Sequence, residues 1–322
     1  MAQHFLLSAK ARTLSLRTVF RMTEEQAYSL FCEMRWPEND GAGVCPRCGC
    51  TEAYHINTRR KFKCVACHHQ FSVTSGTIFA SRKMSFCDLL AAVAIFVNGA
   101  KGISSLQLSR DLDCQYKTAF VLTHKLREAM AREDIGRQLA GDVELDGAYF
   151  GGYVKPANEK ENRRDRRFRL NQSGKRQVVV VGRERGGGSI TVVAGSEARG
   201  GELVSASIHH MSIVHADEAS HWDALHGRFA TRRINHTIAY SDGNACTNQA
   251  ESFFSRLRRM EIGTHHHIAG PYLASYAAKA SWREDNRRVD NGSQTVELTA
   301  ASMEAPVSRA WKGYWQRALE GQ

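Results

Sequence analysis

The sequence predicts a mixed α/β protein of the α+β kind, on three observations. Two tight cysteine pairs flank residue 50, helical periodicity runs from Ser85 to about Met130, and strand-like apolar segments alternate with helical ones after Val143. With 322 residues the chain has room for two or three folding units rather than one core, and a hydrophobic share of 42% suits a globular protein. Lys and Arg number 44 against 33 acidic residues, a formal net charge of +11. Counterion release rewards clustered cations on a polyanion, so nucleic acid is the first partner to consider. The longest apolar run, Leu89 to Val97, is far shorter than the ~20 residues that span a bilayer. No basic-then-apolar leader opens the chain, so a cytoplasmic protein without a membrane partner is expected.

Taken in order, the first segment (1–40) contains Thr23-Glu-Glu-Gln26, a capping box, ahead of a short helix through about Met34 that Trp36-Pro37 and ENDGAG close. Residues 41–82 hold CPRC and CVAC, that is C-x2-C, fifteen residues, then C-x2-C. Two residues between thiolates let a tight knuckle aim both sulfurs at one ion, so Cys45, Cys48, Cys64 and Cys67 predict a tetrahedral Zn2+ site with no open position. Such zinc is structural. Tyr54, Ile56 and Phe62 among basic residues fit the hairpins of a zinc ribbon. Cys50, His68 and His69 are neighbours with the chemistry to ligate, but four thiolates already complete the set. The remaining cysteines are scattered, and nine in all do not make a disulfide framework.

Residues 83–138 carry a helix to about Asn98 and then two more, broken near Asp113, with Ile103, Leu106 and Leu112 apolar on the first and Ala119, Leu122, Leu126 and Ala129 on the second. This pattern suits a helix-turn-helix. In residues 139–295, strands are expected at 143–148, 177–182, 190–194 and 212–216. KPANEKENRRDRRFRLNQSGKR, between the first two, is too charged to pack and reads as a loop. Gly186-Gly187-Gly188 reads as a hairpin turn. Residues 296–322 form a tail.

The strand VELDGAYFGG poses a question, because Glu144 and Asp146 share one face of an otherwise apolar segment. A buried, unpaired carboxylate is costly, so Asp146 should be exposed, hydrogen-bonded or metal-bound. A second strand ends at Asp217 in IVHADEASHWDAL, where a helical pattern begins. In TNQAESFFSRLRRMEIG, read as a helix, Phe253, Phe254, Leu257 and Met260 form the apolar side, while Asn248, Glu251, Ser255 and Arg258 follow one polar stripe. Converging carboxylates of this kind suit a pair of hard divalent cations, roughly 3.5 to 4 Å apart, at a phosphodiester. His265 to His267 do not suit a metal, since consecutive side chains cannot all face one ion.

VELDGAYFGG, HADEASHWDAL, TNQAESFFSRLRR, GTHHHIAGPYLASYAAKASWREDNRR and the preceding cysteine unit together resemble insertion-sequence transposases of the ISXO type, which carry a DDE-type, RNase H-like catalytic domain. The resemblance runs from about Trp36 to Asn291. It implies that Asp146, Asp217 and Glu251 form the catalytic triad that binds Mg2+ or Mn2+, with Asn248 the alternative third member and Asp242 a rival to Asp217. It implies also that Arg258, seven residues after Glu251, faces DNA. Arg283, Arg287 and Arg288, at the close of the family-like region, read as a basic helix end that either holds DNA phosphates or compensates the helix dipole. Many relatives carry a second acidic residue directly after the first catalytic Asp; this chain has Gly147 there. The activity implied is metal-dependent cleavage at the ends of an insertion sequence and strand transfer into target DNA. The partners implied are double-stranded DNA, at terminal repeats and target, and further copies of the chain as a homo-oligomer. The alternative is a DNA-binding regulator that keeps the fold and lacks catalysis.

Overall fold

The computed structural model describes residues 4–152, 155–165, 168–171, 173–235 and 246–316. The chain divides into two compact units, Met1–Glu133 with Asn286–Gln322, and Asp134–Asp285. The first begins with helices α1 (Leu16–Arg21) and α2 (Glu24–Arg35). The capping box forms as its spacing requires: Gln26 N–H donates to Thr23 Oγ1 (3.2 Å) and Thr23 N–H to Gln26 Oε1 (2.8 Å). A three-stranded antiparallel sheet follows, in the order β1 (Ala53–Ile56), β2 (Lys61–Cys64), β3 (Gln70–Phe71).

Next come α3 (Phe86–Asn98), α4 (Ser105–Asp111) and α5 (Tyr116–Arg132). The α4–α5 turn passes through Asp113 in the left-handed region (φ 46°), the break that the periodicity places there. α3 is apolar on nearly every side because α1, α2 and, from the far end of the sequence, α9 (Asn291–Glu304) all pack on it. The Glu24 carboxylate caps α3 remotely, accepting the Phe86 N–H at 2.9 Å and the Cys87 N–H at 3.1 Å.

The second unit is built on a five-stranded sheet of β4 (Asp142–Phe150), β5 (Gln177–Glu184), β6 (Ser189–Ala194), β7 (Ile213–Asp217) and β8 (Ala230–Ile234), in the order β6-β5-β4-β7-β8. β4, β5 and β6 form an antiparallel meander, and β7 and β8 join parallel to β4. This is the strand arrangement of an RNase H-like core. Glycines 186–188 make the β5–β6 hairpin, with the Glu184 N–H donating to the Gly188 carbonyl (3.0 Å). Between β4 and β5 the described residues form only short 3-10 turns, in keeping with a charge-rich loop.

Both sheet faces are covered, which explains why Val178 to Val181 are all apolar rather than alternating. On one face Val143, Leu145, Val178 and Val180 pack with Val204 of α6 (Glu197–Ser205) and with Trp222. α6 approaches closely because Gly200 has no side chain; a Cβ there would lie 2.4 Å from Val180 Cγ2. On the other face Ala148, Phe150, Val179 and Val181 pack with Phe253, Phe254 and Leu257 of α7 (Asn248–Met260) and Ala277 of α8 (Leu273–Asp285). The segment after Asp217 forms a 3-10 helix over Ser220–Gly227. β8 lies outside the sequence expectation: ATRRI has two arginines in five residues and stands at the sheet edge, so it needs no apolar alternation.

Candidate active site and cysteine knuckles

The two cysteine pairs sit on two knuckles with the same backbone pattern. In the first, the Cys45 N–H donates to the Cys50 carbonyl (2.9 Å) and the Gly49 N–H to the Cys45 carbonyl (2.9 Å). In the second, the Cys64 N–H donates to the His69 carbonyl (3.0 Å) and the His68 N–H to the Cys64 carbonyl (3.1 Å). Each turn closes through a left-handed residue, Gly49 (φ 74°) and His68 (φ 55°). All four sulfurs lie within 4.8 Å of one another, with Sγ···Sγ separations of 3.6 Å for Cys45–Cys67 and 3.5 Å for Cys48–Cys64. Tetrahedral thiolates around zinc have edges of about 3.8 Å, so the set fits that ion. The Cys67 N–H, donating to the Cys64 sulfur, holds that thiol down to about 6, while the Cys67 and Cys64 sulfurs push Cys48 up to about 12, so the crowded sulfurs hold on to protons that a metal would displace. Cys50 and His69 serve the knuckles through their backbone carbonyls, and neither belongs to the sulfur cluster.

In the second unit the strand pattern turns Glu144 and Asp146 toward the α7 face of the sheet, since Val143 and Leu145 belong to the opposite core. Val214 and Ala216 of β7 also pack in that opposite core, which turns His215 and Asp217 to the α7 face. β4 and β7 are parallel, their ladder ending at Glu144 opposite His215; Asp146 and Asp217 each lie two residues beyond that pair, near enough for the Asp217 charge to act on Asp146. Glu251 stands in the first turn of α7. Burial pushes the Asp146 carboxyl up to about 7; the Gly147 N–H, donating to Oδ1 at 2.7 Å, opposes the rise, and the charges of Asp217, Glu251 and Glu197 add to it. The acidic groups are spaced more widely than the sulfurs: among the described residues, only the cysteines bring three or more ligand atoms within 4.8 Å.

Asp217 is held from behind by Arg233 of β8, whose Nε donates to the Asp217 carbonyl (2.5 Å) while Nη2 donates to the Ala219 carbonyl (2.7 Å). The Ala219 N–H donates to Asp217 Oδ1 at 3.1 Å. Glu197, at the start of α6, is an acidic neighbour that sequence reasoning missed. A Cβ on Gly147 would lie 2.8 Å from Glu197 Cγ, so the glutamate fills the space a side chain at that position would take. His221 Nε2 lies 3.4 Å from Glu197 Oε2. Burial raises the Glu197 carboxyl, His221 opposes this, and Asp217 adds repulsion. Its one sequence signal is a helix-capping Ser196-Glu197, which many helices share.

Residues 138–285 match the family model of the ISXO2-like transposase domain, and residues 22–70 match that of the transposase zinc-ribbon domain. The chain belongs to the ISXO2-like transposases. No curated protein and no solved structure matches it. The ISXO2-like domain coincides almost end to end with the second compact unit, Asp134–Asp285. The zinc-ribbon match begins before α2, so that helix belongs with the ribbon.

In this transposase the remaining residues singled out from sequence lie as follows. Asn248 is the first residue of α7 and is exposed, as is Glu251. Arg258 is exposed on the same helix, its guanidinium carbon 5.9 Å from the Phe150 ring centroid. Arg283 of α8 is half-buried, and loss of water pulls its pKa down to about 10. Arg287 and Arg288 belong to the first unit and are exposed. Asp242 lies outside the described residues. No described helix is long and apolar enough to cross a membrane.

Proposed function

We propose that the second unit is the nuclease and strand-transfer domain of a DNA transposase, with Asp146, Asp217 and Glu251 holding divalent cations, Mg2+ or Mn2+. The observation that supports this reading is that β4 and the parallel β7 turn Asp146 and Asp217 to the face covered by α7, where the charges of Asp217 and Glu251 both act on Asp146. Burial first, and then the charges of Asp217, Glu251 and Glu197, raise the Asp146 carboxyl; a bound cation would favour its charged form against both. Oxygen donors of this kind suit a hard metal. When bound, a pair of such ions activates the attacking oxygen and stabilises the leaving one in a phosphodiester displacement.

The protein's own part is to hold and orient. Asp146 and Asp217 are fixed by backbone N–H donors, Glu251 completes the set, and Glu197 stands by as a fourth carboxylate. Arg258, on the same helix as Glu251, meets backbone phosphate. No covalent protein–DNA intermediate is needed: cleavage frees a 3′ hydroxyl at the element end, and that hydroxyl attacks the target. The ribbon and the α4–α5 pair position the terminal repeats through phosphates and base edges. Two or more copies of the chain bring two ends together.

The test is incubation of the full chain with duplexes taken from the DNA flanking its coding region, with Mg2+ or Mn2+, beside Asp146→Ala. Cleavage by the parent and none by the variant supports the reading. Equal cleavage by both removes the site, and binding by the parent without cleavage favours the regulator.

A further inference from the structure

We infer that Glu144 is a positioning residue, which locks the helix bearing Glu251 to the strand bearing Asp146 and so sets the spacing of the acidic site. This rests on the catalytic reading above and extends it to a side chain that touches neither metal nor DNA. Glu144 is fully buried, two residues before Asp146 on the same face of β4. Its Oε2 accepts the N–H of Gln249 (2.7 Å) and of Ala250 (3.1 Å), the second and third residues of α7. Its Oε1 accepts from Arg185 Nε at 2.8 Å. Arg185 in turn donates through Nη2 to the Cys246 carbonyl (3.0 Å) and sulfur (2.8 Å), just ahead of α7.

One carboxylate therefore joins β4, the residue after β5 and the first turn of α7. The next residue along α7 is Glu251.

A helix start is ordinarily capped by its own N-cap side chain. Thr247, the N-cap of α7, makes no such cap bond; its hydroxyl lies instead 3.4 Å from Glu251 Oε1. The difference matters mechanically. A local cap satisfies the first amides and leaves the helix free to slide or rotate against the sheet. A cap delivered from the neighbouring strand satisfies the same amides only at one axial position and one rotation, because the acceptor is anchored two residues from Asp146. Charge is part of the device: the carboxylate offers acceptors on both oxygens, to two amides on one side and a guanidinium on the other. An amide at this position would aim its NH2 donors at one of those donor groups.

The test measures Mn2+ binding by electron paramagnetic resonance on the full, zinc-loaded chain, with circular dichroism to monitor folding. The variants are Glu144→Gln, Glu144→Asp, Glu251→Gln, Asp146→Asn and the double variant Glu144→Gln/Glu251→Gln. Groups that orient metal ligands are worth about tenfold or more in affinity, so Glu144→Gln is expected to weaken Mn2+ about tenfold with the folded spectrum retained. In the Glu251→Gln background the same change is expected to cost less than about twofold, because it acts through Glu251.

Parent-like Mn2+ affinity in Glu144→Gln, with Asp146→Asn weakened, overturns the positioning role and leaves the site intact. Parent-like affinity in Asp146→Asn overturns the site itself. A full tenfold loss in both backgrounds overturns the route through Glu251. Should Glu144→Gln fail to fold, Glu144→Asp keeps the charge and shortens the reach; affinity equal to the parent then overturns the inference, and a severalfold loss supports it.

Discussion

The Glu197 side chain lies against the α-carbon of Gly147, so close that a Cβ there would sit 2.8 Å from Glu197 Cγ and 3.0 Å from Oε1. Glycine on β4 and glutamate on α6 thus form a complementary pair beside Asp146. Gly147→Ala is expected to displace Glu197 and slow DNA cleavage about tenfold, as should Glu197→Gln. Gly147→Asp combined with Glu197→Ala returns a carboxylate to the same space from the strand, and is expected to recover part of the loss. Single-turnover cleavage rates check all three; unchanged rates in both single variants would discard Glu197 as a functional group.

The cysteine knuckles should depend on metal for their fold. Cys64→Ser is expected to lower bound zinc by about one equivalent per chain and to expose the β1–β2 amides to rapid hydrogen exchange, because structural zinc supplies folding free energy directly. Zinc quantification and exchange mass spectrometry provide the measurement. Protection equal to the parent would show that the hairpin stands without the ion.

Asp146 should make the protein's stability fall with rising pH when no divalent cation is added and zinc remains in the ribbon. Its folded-state pKa of about 7 lies above the unfolded value near 3.8, so the folded state binds the extra proton. The contribution is fully present below about pH 4 and is lost as pH rises through 7. Relative to Asp146→Asn, the parent should therefore lose stability between pH 5 and 8, and added Mn2+ should cancel the loss. Thermal melts of both proteins across that range read the effect; a flat difference would contradict it.

Arg258 and Arg283 should behave differently although both are arginines of the same domain. Arg258 is exposed, so Arg258→Ala is expected to weaken DNA binding evenly across sequences and reduce the slope of log K against log salt by about 1. Arg283 is half-buried, and the partial loss of water lowers its pKa to about 10, so Arg283→Ala should lower the melting temperature before it alters the salt slope. Binding isotherms at several salt concentrations, beside melting curves, separate the two. A lowered slope with an unchanged melt for Arg283→Ala would instead make it a DNA contact like Arg258.

Much of this protein is written in local signals. The capping box at Thr23, the two C-x2-C knuckles, the break at Asp113 and the amphipathic stripe of α7 each depend on residues a few positions apart, where spacing alone sets geometry. The four sulfurs come together because each knuckle is closed by its own backbone and one hairpin brings the pair together. Tertiary structure decided what depends on distant segments. β8 is a strand because β7 offers it an open edge, and its composition does not announce it. Glu197 reaches the acidic site because α6 packs where Gly147 leaves room, and Glu144 is a clamp because α7, about a hundred residues later, brings two amides to it. A carboxylate on a strand carries no mark of what will face it; its role is set by the desolvation and the partners that folding alone supplies.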